Sequence, residues 1–448
     1  MLARRRPPQP RADERPTEII HLEPESELDD VDGEEFADGY DDEYDDAEFY
    51  DEDEDLAELE HAEPEYIEDE RPSRRRKRGK RAFGWVAALV VIVLLAGGAW
   101  YGVNSMFGYD DFTGAGDSDV VVQVADGDST GAIATKLTSA GVVASSTAFV
   151  KAGQNNNGVA KIQPGYYMLK KNMSAASAVN RITAAASRVG ELQIKSYTQF
   201  DDVIQPDSKV TPGIYSLLST ASCATLNGKS TCIPVEELRK TVETADLAAL
   251  GVPSWAAAEA NKTPDKFRRL EGLVAPGVYD VKPGWTATEL LTHVVKLSAA
   301  ELQVAGLSDK ASVEGQDPFR ILTIASIIER EGVKADFGKI SRVIYNRLAK
   351  PMKLEMDSTV NYALERPVLL TEKSDRNKGG PYNTYASIGL PPTPISAPSA
   401  DAIQAALKPP DGNILYFVKC EKNGLSCFAS TNAEHNKNRD DAQARGVF

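Results

Sequence analysis

The 448-residue sequence predicts an α+β protein carried on a single membrane span, and three features lead there. Residues 83–103 form one uninterrupted apolar stretch. Beyond them, short segments that alternate Val or Tyr with polar residues are interleaved with segments of helical period. Charge is also placed so unevenly that the chain divides into parts of different character.

The chain holds 50 Lys and Arg against 67 Asp and Glu, a net charge of −17. Residues 13–70 contain 30 of the acids and a single base, Arg15, while residues 1–12 hold four arginines and residues 71–81 eight Lys or Arg. Everything from Ala82 onward is therefore neutral overall. A neutral body offers no basic face to displace counterions from phosphates, so nucleic acid is not an expected partner. The acidic run has few branched aliphatics to bury and is expected to be a disordered, solvated tail over residues 1–81. It reads as a solubilising or spacing segment, with a partner site as the alternative.

The stretch FGWVAALVVIVLLAGGAWYGV has 21 residues without a charge. At about 1.5 Å each, these span the roughly 30 Å hydrocarbon core of a bilayer. Trp85, Trp100 and Tyr101 sit near its ends, where amphipathic rings favour the interface. A cleaved signal peptide fits poorly, because eighty polar residues precede the span and no small-residue cleavage site follows it. The cationic block RPSRRRKRGKR at 71–81 predicts that the N-terminus stays cytoplasmic and that residues 104–448 lie outside the cell membrane.

Four cysteines agree with an oxidising location. Cys223 and Cys232 lie nine apart, Cys420 and Cys427 seven apart, and two local disulfides are the natural pairing. Neither spacing is that of a zinc or redox motif, and only four His are present, so no metal and no cofactor are expected.

Residues 104–118 read as a tether. Residues 119–190 form a small α+β module, with strand, turn and helix at 120–143, an aromatic strand after Pro-Gly at 162–169 and a helix at 173–185. A connecting α+β region covers 191–316. Its segment APGVYDVKPGWTATELLTHVV repeats the order of QPGYYMLKKNMSAASAVNRI: Pro-Gly, a Tyr-containing strand, a turn, then a helix. Residues 317–448 read as one α+β domain with helices at 317–332 and 337–350, a helix at 399–409 and a strand at 414–419. Gly332 stops the first helix. The Pro- and Gly-rich segment 379–398 is too irregular for either period and is expected to be a loop over one face, placed to cover a ligand.

On the helix before Gly332, about 100° per residue places Glu331 on the stripe of Ile324, Ile327 and Ile328, and Glu329 beside Leu322 and Ala325. An acid among isoleucines loses water, which raises its pKa toward that of a general acid working near neutrality. Glu331 is the better candidate and Glu329 the fallback; the plain alternative is that Glu331 points to water from a frayed helix end. Asn346, Arg347, Glu355, Asp357, Tyr382, Asn383, Thr384 and Tyr385 are candidates to gather around it. Aromatic and amide side chains together suit a sugar, with its apolar ring faces and hydroxylated edges. Each has a plainer role: Arg347 pairing an acid, Asp357 capping the STVNYAL helix, the tyrosines packing. His435 and Asn436 read as structural. No serine elbow, phosphate loop or HExxH occurs.

With these residues in place, the chain resembles the endolytic murein transglycosylase (YceG-like) family. The resemblance is carried by TIASIIEREG at 323–332, YNRLAKPMKLEMDSTVNYAL at 345–364, YNTYASIGLPPTPISAPSADAIQAAL at 382–407 and LYFV at 415–418. LEGLVAPGVYDV at 270–281 and STNAEHNKN at 430–438 resemble further family segments. The resemblance implies a LysM-like module at 119–190 and a transglycosylase catalytic domain after it. It also implies a peptidoglycan lyase that cuts glycan strands internally to leave 1,6-anhydro ends, without a cofactor. The second Glu of the family's Ser-Ile-(Ile/Val)-Glu-Lys-Glu stretch aligns with Glu331. This chain departs in having Arg330, Glu355, Ser358 and Gly277 where the family usually has Lys, Gln, Pro and Asp. Peptidoglycan strands are the implied partner, with cell-wall synthesis or division proteins as further partners. A non-catalytic peptidoglycan-binding scaffold is the competing reading.

Overall fold

In the computed structural model, residues 90–94, 109–364 and 372–447 are described. The acidic tail and most of the apolar stretch at 83–103 lie outside them. Of that stretch residues 90–94 are helical. Among the described residues no helix is long and apolar enough to cross a membrane.

The alternating DVVVQV segment forms β1 (Asp119–Val124), followed by α1 (Thr130–Ser139) and α2 (Ser146–Gly153). The aromatic segment forms β2 (Gly165–Lys170), then come α3 (Ala175–Ile182) and β3 (Arg188–Val189). Serines cap all three helices: the side chains of Ser129, Ser145 and Ser174 each accept an amide of the first turn. The strands run antiparallel in the order β1–β2–β3, with Val122 opposite Tyr167. Val122, Val124, Ile133, Leu137, Phe149, Leu169, Val179 and Ile182 close a core of their own.

The second core is larger and draws on residues 192–428. It opens with β4 (Glu191–Ile194), whose Leu192 and Ile194 point inward. The chain continues through α4 (Ile214–Ser222), α5 (Val235–Thr244), α6 (Leu247–Leu250) and α7 (Ser254–Ala260), then returns as β5 (Gly277–Asp280). β5 pairs antiparallel with β4, Leu192 facing Tyr279, so the segment between them closes on itself. After α4 the Cys223–Cys232 disulfide clips a short hairpin. α8 (Ala287–Val304) starts in a capping box made by Thr286 and Glu289.

α9 (Pro318–Glu331) begins with Asp317 as its N-cap and Pro318 in its first turn, and ends at Gly332. It is followed by α10 (Phe337–Ala349), α11 (Asp357–Ala363) and α12 (Ala400–Leu407). The hairpin β6 (Tyr416–Lys419) and β7 (Ser426–Ala429), joined by Cys420–Cys427, leads to α13 (Asn432–Ala444). α9 packs against α7, α10, α11 and α12. Ile321, Leu322, Ile324, Ile327 and Ile328 on it are wholly buried, each a contribution of about 1.5–3 kcal/mol. The architecture is α+β.

The two cores meet along a polar and aromatic seam. Arg188 bridges Glu191 at 2.8 Å and Asp280 at 3.4 Å, the Tyr166 ring meets Trp285 edge-on at 5.9 Å, and the Asp119 amide donates to Asn227 at 2.7 Å. Gly190 makes the joint. Its φ is +74°, its carbonyl accepts the Val281 amide at 2.7 Å, and an added Cβ would stand 1.7 Å from the Val281 oxygen.

Gly190→Ala is therefore expected to lower unfolding free energy by about 3 kcal/mol or to prevent folding, read by urea denaturation. Wild-type stability in this variant would show that the joint is not under the constraint described.

Candidate active site

α9 is buried on every side over most of its length. The helical-stripe argument therefore does not separate Glu331 from Glu329, since the faces carrying both are covered; hydrogen bonding does. The Glu329 carboxylate accepts the Ser399 amide at 2.9 Å and the Ser399 hydroxyl at 2.5 Å. Ser399 is itself the N-cap of α12, so Glu329 is spent on holding that helix start against α9.

Glu331, the last residue of α9, keeps part of its surface open to solvent. Its Oε1 accepts one bond, from the Ser358 amide at 3.1 Å. The Ser358 hydroxyl is buried near the same carboxyl but outside good hydrogen-bond geometry. Burial pushes the Glu331 carboxyl above the ordinary carboxylate range, with Ser358 and Lys419 opposing the shift and Asp357 adding to it. Glu331 thus combines a desolvated carboxyl with a residue that stays partly exposed.

Asp357 opens α11 instead of capping it: the residue before the helix is Met356, and the Asp357 carboxylate turns outward. It accepts the Tyr385 hydroxyl at 2.6 Å and pairs with Arg376 at 3.3 Å, while the Arg376 guanidinium also lies over the Tyr385 ring at 4.9 Å. Asp357 and Tyr385 thus stand together beside Glu331, and both are partly exposed.

The other expected contacts lie behind the acid. Tyr382 is buried, bonded to Thr393 at 2.9 Å and packed on Tyr362. Asn383 is buried; it donates to the Arg376 and Lys378 carbonyls and accepts the Tyr385 and Ala386 amides. Thr384 is buried against the Met356 amide and Thr359. The side-chain polar groups of all three bond within the protein. Asn346 holds the Gly412 and Ile414 carbonyls. Arg347, 6% exposed, donates to the Lys353, Leu354 and Leu415 carbonyls and to Glu355 at 3.3 Å. Glu355 is exposed, with φ +53°.

The loop at 379–398 is exposed at 379–381 and 386–388, but residues 391 and 393–398 are buried. The Ile395 amide donates to the Ser326 hydroxyl at 3.0 Å, which pins this half of the loop to α9. Covering a ligand by moving the whole loop would break these bonds. Among the described residues no three His, Cys, Asp or Glu side chains gather to hold a metal ion.

Sequence reasoning missed Glu271. It is 2% exposed, accepts the Phe200 amide at 3.2 Å and the Tyr362 hydroxyl at 3.0 Å, and leaves Oε1 without a partner. Burial pushes its carboxyl up to about 7, against the Phe200 amide, Tyr362 and Arg268. Through Tyr362 it underpins α11 and hence Ser358. The signal was an acid embedded in LEGLVA, the same kind of signal that pointed to Glu331.

Residues 122–441 match the sequence profile of the YceG-like family, and the chain belongs to that family. It is 25% identical over 369 residues to the endolytic murein transglycosylase of Streptococcus pneumoniae serotype 2 (strain D39), a match covering 79% of this chain. The chain spans 64% of the length of that relative. To the endolytic murein transglycosylase of Bacillus subtilis (strain 168) it is 29% identical over 335 residues, 72% of this chain and 84% of the relative. A crystal structure of a YceG-like protein from Listeria monocytogenes aligns with 72% of this chain and 99% of its own, at 27% identity and a TM-score of 0.47.

Two outcomes follow from these contacts. Glu329→Ala removes the acceptor at the start of α12 and is expected to cost about 1–2 kcal/mol in denaturant unfolding. A change of a few tenths at most would mean the cap is idle. Glu271, raised from 4.5 to about 7 on folding, binds its proton more tightly in the folded chain. Stability therefore falls as pH rises between those values and levels off above them, on the order of 3 kcal/mol in all. Measured against pH, the wild type should lose this amount relative to Glu271→Gln; parallel curves would contradict the assignment.

Proposed function

We propose that the chain is an endolytic peptidoglycan lytic transglycosylase with Glu331 as its single catalytic acid and base. The observation that carries this reading is a carboxyl desolvated at the end of a buried helix, on a partly exposed residue, with one amide on one oxygen. The names of the pneumococcal and Bacillus relatives support it. Protonated Glu331 gives its proton to the glycosidic oxygen between N-acetylmuramic acid and N-acetylglucosamine as positive charge develops at the anomeric carbon. The resulting carboxylate then takes the proton of the muramyl 6-hydroxyl, whose oxygen closes on that carbon. The C1–O bond to the leaving sugar breaks, the 1,6-anhydro bond forms, and Glu331 ends as it began. Water takes no part, in contrast to two-carboxylate glycoside hydrolysis. Asp357, with Tyr385 and Arg376 around it, keeps negative charge near the acid and so favours its protonated form.

The wider arrangement belongs to the same proposal. Residues 83–103 anchor the chain in the cell membrane with the basic block on the cytoplasmic side. The module at 119–190 is a LysM-like glycan holder and the catalytic domain works on nascent strands outside, limiting their length. The acidic tail is left in the cytoplasm, where synthesis or division proteins are its natural partners.

The test is mass spectrometry of glycan fragments from uncrosslinked strands, with wild type beside Glu331→Gln and Glu329→Gln. Anhydro-muramyl ends lost with Glu331→Gln and retained with Glu329→Gln are expected. Fragments from none of the three, with strands still bound, would establish the scaffold reading instead. Because the acid must start protonated, turnover should decline as pH rises through its raised pKa. A rate that increases through the neutral range would contradict that role.

A further inference from the structure

Just after β4 the chain makes a turn at Lys195–Thr198. The Thr198 amide and hydroxyl both return to the Lys195 carbonyl, at 3.4 and 2.8 Å. Tyr197 holds the third position of this turn with φ +77°. That position and that φ favour glycine, since a Cβ meets the backbone there. A chain needing only the turn has no use for an aromatic at this place, and the ring is not repaid by burial: Tyr197 is 51% exposed.

The ring is nevertheless held. The Arg330 guanidinium lies over one face, 4.2 Å from the ring centre, and its Nη1 donates to the Tyr197 carbonyl at 3.4 Å. The Tyr197 amide donates to the Ala397 carbonyl at 2.7 Å, and the Ala397 amide to the Thr198 carbonyl at 2.8 Å. Ala397 belongs to the pinned half of the 379–398 loop, and Arg330 is the chain neighbour of Glu331. A strained backbone, a clamped ring and an exposed aromatic surface thus coincide one residue along α9 from the candidate acid. Strain of this kind is kept where surrounding contacts hold it in place for a use.

We propose that Tyr197 is a saccharide subsite, its exposed ring surface stacking on the apolar face of a pyranose in the strand that Glu331 cuts. Arg330 fixes the ring's orientation from the other face. The inference rests on the transglycosylase reading for the identity of the strand, but the stacking can be measured without catalysis.

The experiment uses the full chain in detergent. Binding of an uncrosslinked murein tetrasaccharide is measured by calorimetry in the Glu331→Gln background, with Tyr197 unchanged or replaced by Phe, Gly or Ala. Tyr197→Gly relieves the backbone and removes the ring, so it should fold at least as stably yet bind about fivefold or more weakly, whereas Tyr197→Phe should bind within about twofold of the parent. In the active chain Tyr197→Gly should raise KM by more than it lowers kcat. Equal binding by the Gly variant, equal loss in the Phe and Gly variants, or no binding by Glu331→Gln itself would overturn the subsite. Binding that depends on Tyr197 without anhydro product from the active chain would refute the reaction and leave the subsite standing. Anhydro product with a silent Tyr197→Gly would do the reverse.

Discussion

Withholding water from a carboxyl disfavours its charged form, and at the end of α9 burial raises the Glu331 carboxyl above its ordinary range. The helix is enclosed by α7, α10, α11 and α12, and its last residue emerges from a packed interior partly exposed. The Ser358 amide, supplied by the first turn of α11, is the hydrogen bond that Glu331 receives. A fuller set of donors would stabilise the carboxylate and cancel the effect of burial. The placing of α11 relative to α9 therefore governs the acid, and much of the surrounding structure serves to hold it.

That holding is done largely by polar side chains with no surface of their own. The segments after α10 and before α12 are irregular, and their backbone groups need partners that neither helix nor sheet supplies. Arg347 collects three carbonyls, Asn383 satisfies the turn around Tyr385, and Thr384 receives the Met356 amide at the threshold of α11. Glu329 fixes the start of α12, and Glu271 reaches α11 through Tyr362. Residues rich in hydrogen-bonding capacity thus surround Glu331 at one remove, while Asp357 and Tyr385 share its exposed side.

This explains which parts of the site were legible in the sequence. Long elements with strong caps were: Asp317, Pro318 and Gly332 delimit α9 as their chemistry requires, and the aromatic strand and following helix at 165–182 fall where their periods put them. The burial of Glu331 was legible because the residue follows a run of isoleucines. Helical position does not separate it from Glu329, since α9 is covered over most of its length; what distinguishes Glu329 is a bond to Ser399, about seventy positions away. Tyr382, Asn383 and Thr384 read as sugar contacts because groups that bind hydroxyls also bind protein, and the internal bonds their side chains make here were not legible in the sequence. Tyr197 gave no signal, because its positive φ and its contact with Arg330 belong to a turn that no local pattern marks.

A lytic transglycosylase closes the anomeric carbon with the substrate's own hydroxyl, whereas a hydrolase closes it with water. Cleavage of uncrosslinked strands in ¹⁸O-labelled water, followed by mass spectrometry of the new ends, separates the two directly. Anhydro-muramyl ends free of the label are the predicted result. Reducing ends that carry it would show that water attacks, and would contradict the single-carboxyl mechanism assigned to Glu331.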